Sequence, residues 1–191
     1  FQFLDSFAFL VLSAIGLAII FGMMGVINLA HGEFITVGAY GTALSFNAGI
    51  PLPLSMLFGV VLTTVFGVIV ELTIIRRLYG RLLDSMVATW GLSLVMVQGV
   101  RILYGNSLDQ IGTPLGNIAY SGFTYSTYRV SLAGVALAVL LVTFLVFRYT
   151  EYGMRARATI QDEDTARAMG VDTERTYMTT FAIGSGLAGL T

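Results

Sequence analysis

Three residue types capable of chemistry fall close together in the run Gly25-Val26-Ile27-Asn28-Leu29-Ala30-His31-Gly32-Glu33-Phe34. An amide, an imidazole and a carboxylate interrupt what would otherwise be one long apolar stretch. Polar groups at membrane depth are costly and must face protein or a water-lined cavity. Gly32, between two charge-capable residues, predicts a helix break whose freed backbone groups bind a polar solute or satisfy one another. The plainer alternative is a short interfacial loop in which His31 and Glu33 meet water. His31 is the sole histidine. One His and one Glu two positions apart cannot supply three or four metal ligands, and no nucleophile-elbow sequence accompanies His31, so neither a zinc site nor a Ser–His–Asp hydrolase is expected.

A second polar interruption lies at Trp90, Ser93 and Gln98, inside another apolar run. Ser93 and Gln98 either hydrogen-bond across helices or line a passage. Glu71 stands one turn before Arg76 and Arg77, and Asp84 follows Arg81 by three positions; snorkelling and local ion pairing account for all of these. The segment 151–175 opens with a basic cluster and continues with Asp162, Glu163 and Asp164 before Thr165-Ala166-Arg167-Ala168-Met169-Gly170. Acidic capping residues, a short amphipathic helix and a glycine stop are expected there. Such a helix serves as a connector, or as a ball that inserts into a cleft on a cytoplasmic partner.

The elements that must position these residues follow from composition. Of 191 residues 56% are apolar and 11% charged, against roughly a quarter charged in a soluble domain. With a mean hydropathy of +0.83, too few polar side chains remain to cover a globule in water, which identifies an integral membrane protein. The 10 arginines nearly cancel the 11 acidic residues, which excludes a nucleic-acid partner and points to lipid as the surrounding medium. Cysteine and lysine are absent. Disulfides, thiolate metal sites, a phosphate-binding P-loop and Schiff-base chemistry are therefore excluded from this sequence.

Apolar runs long enough to span a bilayer occupy 7–26, 54–75, 82–104 and 130–149. A fifth, 34–50, is short and contains Gly38, Gly41 and Gly49, and another begins at 177–191. The first residue is Phe1 and the last run stops short of a full span, so a C-terminally truncated fragment of a longer protein is expected. Arginines concentrate in the link 76–81 and the segment 150–176, which the positive-inside rule places in the cytoplasm; 105–129 is then extracytoplasmic, with Tyr120, Tyr125 and Tyr128 as interfacial anchors. Gly16, Gly22, Gly38, Gly41, Gly184 and Gly186 suit close helix packing.

GVINLAHGEFITVGAY, together with MRARATIQDEDTARAMGV and FAIGSGLAGL, resembles the permease subunits of branched-chain amino-acid ABC importers and of their relatives for urea and short amides. The resemblance covers nearly the whole sequence. It implies an all-α, polytopic transmembrane helix bundle with a cytoplasmic coupling helix, in the plasma (inner) membrane of a prokaryote. It implies as partners a second homologous permease, two cytoplasmic ATPase subunits and an extracytoplasmic solute-binding protein. No cofactor belongs to this chain, ATP being bound by the ATPases. Asp164, Thr165, Ala166 and Gly170 match the coupling motif, with Thr165 replacing an alanine, so Gly170→Pro or a bulky charge at Ala166 is expected to abolish transport. Asn28, His31, Gly32 and Glu33 would lie at a broken helix near the pathway; the polar interruption at Trp90, Ser93 and Gln98 makes these residues further candidates to line it. Ala88-Thr89-Trp90-Gly91-Leu92 is closer to the urea-type branch. An ATP-independent channel or secondary transporter would need an intramembrane ion relay, and Glu33, Glu71 and Asp84 read as too near the surface to form one.

Overall fold

The computed structural model describes residues 2–105, 117–120 and 123–191, with side chains described for 6–105 and 131–191. Its elements run α1 (Gln2–Met24), α2 (His31–Asn47), α3 (Leu52–Thr73), a 3-10 turn (Ile75–Leu78), α4 (Leu82–Tyr104), strands β1 (Asn117–Tyr120) and β2 (Phe123–Ser126), α5 (Thr127–Tyr149), α6 (Glu151–Gln161), α7 (Glu163–Ala168) and α8 (Thr173–Leu190). The strands form an antiparallel hairpin pairing Asn117 with Ser126 and Tyr120 with Phe123. Of the expected external loop, residues 106–116, Asp109 included, and 121–122 lie outside the described residues, and its last three positions, 127–129, open α5.

Among the described residues four helical stretches, Ser6–Met24, Leu52–Thr73, Leu82–Tyr104 and Ser131–Tyr149, are long and apolar enough to cross a membrane. The protein is a multi-pass helical bundle. The 17 residues of α2 extend about 25 Å at the usual helical rise, short of a ~30 Å hydrocarbon core. This shortness reflects where the chain restarts after the break that precedes it.

The bundle centre is built by α1, α2, α3 and α8, with α3 and α8 the most extensively packed pair. Phe34 of α2 is fully buried there, 5.4 Å from Phe66 of α3 and 5.8 Å from Phe181 of α8 between ring centroids. In lipid the drive to associate comes from close packing rather than from escape from water, so small residues at crossings matter most. A Cβ placed on Gly16 would stand 2.6 Å from the Gly184 carbonyl oxygen, and one on Gly59 would stand 2.6 Å from that of Gly38. Gly41 and Gly186 are likewise close to neighbouring side chains. Gly22 has open space around it, contrary to the packing role expected for it.

Buried hydroxyls in these helices donate to carbonyls of their own preceding turns, as Ser45 does to Gly41 (2.7 Å), Thr63 to Gly59 (2.8 Å) and Thr180 to Thr176 (2.6 Å). A hydroxyl can thereby sit in an apolar layer without a partner on another helix. Outside this centre, α5 leans on α1 through Ala8, Leu12, Ala133 and Ala136. α4 stands apart, burying only Ser85 and Thr89 and exposing Val87, Trp90, Val95, Ile102 and Leu103.

Candidate functional site

The interruption between α1 and α2 falls earlier than Gly32, which occupies the first turn of α2. Gly25 at φ +60° makes the turn out of α1, a conformation that side chains with a Cβ seldom adopt. Residues 25–30 are non-helical. Asn28 then organises the restart: its Oδ1 accepts from the Ala30 backbone N–H (3.0 Å), and its carbonyl accepts from the His31 N–H (3.3 Å). His31 opens α2 and its Nε2 donates to the Ser13 carbonyl of α1 across 3.0 Å. Bonding to a carbonyl places the proton on Nε2, which leaves Nδ1 of the neutral ring as an acceptor.

Asn28 and His31 are buried, at 3% and 8% exposure. Yet Asn28 Nδ2, His31 Nδ1 and the nearby Ser13 Oγ are shielded polar atoms that make no hydrogen bond among the described residues. A buried polar group without a partner costs about 1–3 kcal/mol. Three such atoms, one acceptor, one donor and one hydroxyl, belong to Ser13, Asn28 and His31, and His31 lies where α1 crosses α8; Glu71 Oε2, at the end of α3, is a fourth among the described residues. Sequence reading missed Ser13, which looks like any small residue of an apolar helix.

The same break carries the ties to α4. Thr89 Oγ1 accepts from the Leu29 N–H (3.0 Å), while its own hydroxyl donates to the Ser85 carbonyl (2.7 Å). Ser93 donates to Glu33 Oε1 at 2.9 Å. Glu33 and Ser93 are thus brought together, whereas Gly32, Trp90 and Gln98 are exposed, Trp90 at 58%. Trp90 and Gln98 do not join the buried cluster around Asn28 and His31.

A second polar assembly lies at the opposite extreme of solvation. Thr150 caps α6 by accepting from the Gly153 N–H (3.2 Å), Asp162 caps α7 by accepting from the Thr165 N–H (3.0 Å), and Asp172 caps α8 by accepting from the Arg175 N–H (3.0 Å). The Thr165 hydroxyl also donates to Asp162 (2.6 Å), and this bond, with the backbone one, holds the Asp162 carboxyl below its ordinary range. Gly170, at φ +89°, ends α7: its N–H donates to the Arg167 carbonyl and that of Val171 to the Ala166 carbonyl, both at 3.0 Å. That pair of bonds is the Schellman closure, which requires a residue tolerant of positive φ.

Within α7, Ala166 is 3% exposed and points into the protein, so it is not part of the outward surface. A bulky charge there would disrupt packing. Asp164, Thr165 and Gly170 are exposed. Beside them Met169 is 81% exposed, an apolar knob at the tip. The signal for Met169 was its place next to the glycine stop, where a side chain necessarily leaves the helix.

Glu71 also departs from expectation. It is fully buried near the end of α3 rather than snorkelling to the surface. Arg76 Nε donates to its Oε1 at 3.3 Å and Tyr79 donates to the same oxygen, because the 3-10 turn folds back over the helix end. Burial and the bond to Glu71 hold the Tyr79 phenol well above its ordinary range, so it remains a donor. Arg81 and Asp84 pair at 2.6 Å on the surface, as the spacing implied.

Fold and site thus define a class: a multi-pass membrane protein with a broken, polar helix junction inside its bundle. The whole of the chain, residues 1–191, matches the family described as branched-chain amino acid transport system / permease component, and the protein belongs to that family. It is 28% identical to the high-affinity branched-chain amino acid transport system permease protein BraD of Pseudomonas aeruginosa, an alignment covering 94% of this chain and 64% of that protein. Identity to the corresponding LivH protein of Escherichia coli K12 is 26%, over 94% and 63% of the two chains. Identity to the probable permease LivH of Methanocaldococcus jannaschii is 27%, over 95% and 60%. The chain therefore spans less than two thirds of the length of these relatives. No solved structure matches it.

Proposed function

We propose that this chain is part of the permease subunit of an ATP-binding-cassette importer that moves branched-chain amino acids delivered by an extracytoplasmic solute-binding protein. The observation that carries the reading is the set of shielded, unpartnered polar atoms at the α1–α2 junction, Asn28 Nδ2 and His31 Nδ1, with Ser13 Oγ of α1, whose carbonyl His31 bonds, in a chain whose family and curated relatives are branched-chain amino-acid permeases. A zwitterion presents ammonium donors and carboxylate acceptors. An imidazole nitrogen accepts from the first, and an amide N–H and a hydroxyl donate to the second, without a buried counter-charge in this chain. The apolar side chain of the solute then needs only the Leu, Val and Phe surface that the bundle supplies.

Energy enters from the other end. In this reading the arginine-rich link 76–81 and the segment 150–176 face the cytoplasm. There α7 presents Asp164, Thr165, Gly170 and Met169 to an ATPase subunit, with a second permease completing the path and a second ATPase beneath it. Two external events, binding-protein docking outside and ATP-driven ATPase closure inside, drive transport only if each favours a different arrangement of the bundle. α4, tied to the junction through Leu29–Thr89 and Glu33–Ser93, is placed to follow such a change.

The test is uptake of labelled leucine and labelled urea by the full-length gene product with its neighbouring transporter subunits, in cells lacking their own systems. Saturable leucine uptake that stops when the ATPase is inactivated is expected. Uptake of urea alone would move the substrate to the amide branch, and leucine uptake indifferent to ATPase inactivation would overturn the importer reading in favour of a channel or secondary transporter.

A further inference from the structure

We infer that Glu163, Tyr177, Tyr79 and Glu71 form a mechanical line that carries displacement of α7 into the α3–α8 pair. The inference rests on the proposed role of α7 as the ATPase-facing helix. A helix of six residues has no stability of its own, so what α7 does to the bundle depends on the groups that fasten it. Glu163 is the fastening point. Its Oε1 takes Arg167 Nη2 at 2.6 Å and the Thr173 hydroxyl at 3.3 Å, and its Oε2 takes the Tyr177 hydroxyl at 3.1 Å.

Tyr177 belongs to α8, and its ring lies 4.8 Å from that of Tyr79, tilted by 59°. Tyr79 in turn donates to Glu71, buried in α3. Four side chains thus join α7, α8, the 3-10 turn and α3 without a gap, through a hydrogen bond, a ring contact and a second hydrogen bond. Arg76 provides a parallel strap, reaching Glu71 at 3.3 Å and Glu174 of α8 at 3.6 Å.

Buried Glu71 is the stiff end of this line. Withdrawing Arg76 from a carboxylate with no access to water leaves a buried charge uncompensated, and withdrawing Tyr79 takes a hydrogen-bond donor from it, both unfavourable states. The end of α3 must therefore follow the turn when the turn moves. Glu163 is the compliant end, since it is partly exposed and shares its oxygens among three donors. Force applied at α7 is passed inward rather than absorbed locally.

The experiment uses the complete importer, with full-length permeases, ATPases and binding protein reconstituted in liposomes, and reads ATP hydrolysed per leucine moved. Tyr177→Phe keeps the ring contact and removes only the bond to Glu163. It is expected to lower uptake about tenfold, the effect of one hydrogen bond to a charged group, while hydrolysis stays within about twofold of wild type. Glu163→Gln, which keeps an acceptor oxygen, is expected to retain more uptake than Glu163→Ala. The double variant Glu163→Ala/Tyr177→Phe is expected to be no worse than Glu163→Ala alone, because both act through one bond.

An unchanged ratio in Tyr177→Phe would overturn the proposal. So would uptake and hydrolysis falling in step, which marks a purely structural role, or single effects that multiply in the double variant. Wild-type uptake that ignores ATPase inactivation would instead fell the assignment of α7 itself, before any variant is compared.

Discussion

The junction between α1 and α2 and the turn formed by α6, α7 and α8 are both short polar interruptions, but they treat their polar groups oppositely. At the junction Asn28 and His31 are buried and each leaves one side-chain nitrogen without a partner. In the turn, Asp162, Asp172, Glu163 and Arg167 are accessible to solvent yet engaged in caps or ion pairs at 2.6–3.1 Å. Unmet demand in the interior, which Glu71 Oε2 shares at the end of α3, is at the junction the ground for the proposal that the solute binds there. Full satisfaction at a surface fixes a shape, here a capped tip that presents Met169 outward.

The largest expected effect breaks the scaffold that makes the junction possible. Gly16→Leu would drive a side chain into the Gly184 carbonyl at the α1–α8 crossing, destabilising the bundle by ~3 kcal/mol. Loss of monodisperse protein in mild detergent checks it, and a stable Gly16→Leu protein would contradict the close crossing.

Next come Asn28→Ala and His31→Ala. Each is expected to lower leucine uptake about 30-fold, the loss of one or two hydrogen bonds to charged groups in a buried site. Membrane insertion and thermal stability should change by less than about 1.5 kcal/mol, because each variant removes an orphan polar atom along with a made bond. Uptake and melting temperature measured side by side distinguish this from a folding defect.

At the turn, Met169→Asp is expected to weaken capture of the ATPase by roughly tenfold, the scale of one central contact residue, with no measurable change in permease stability. Co-purification against wild type checks it. The smallest effect is the acid response of the α7 cap. Hydrogen bonds from Thr165 lower the Asp162 carboxyl in the folded protein, so its contribution is complete above the unfolded value near about pH 3.9 and is lost as pH falls through the lower folded value. Hydrogen exchange of residues 162–170 should accelerate only in that acid window, and Asp162→Asn should abolish the pH dependence.

These two regions differed in how readable they were. The turn was legible because capping and stopping are local: Asp162, the short helix and Gly170 at positive φ all follow from chemistry within ten positions. The junction was legible as a place but misplaced by several residues, since Gly25 rather than Gly32 takes the positive φ. Burial was the obscure quantity. In a helix apolar on every side, periodicity does not separate lipid from interior, so exposed Trp90 and Gln98 were grouped with Ser93, which faces Glu33. The pairing of Glu71 with Arg76 followed from their spacing, but its burial did not, because nothing local announces that Tyr79 folds back upon it as well.

The central claim is that the buried junction receives the solute, and the most direct test is ATP-dependent leucine transport by the reconstituted full-length importer carrying His31→Ala, with assembly and ATP hydrolysis matched to wild type. The account predicts that saturable transport falls about 30-fold in an otherwise intact complex. Transport at wild-type rate and affinity would contradict it and leave the unpartnered atoms of Asn28 and His31 without a role.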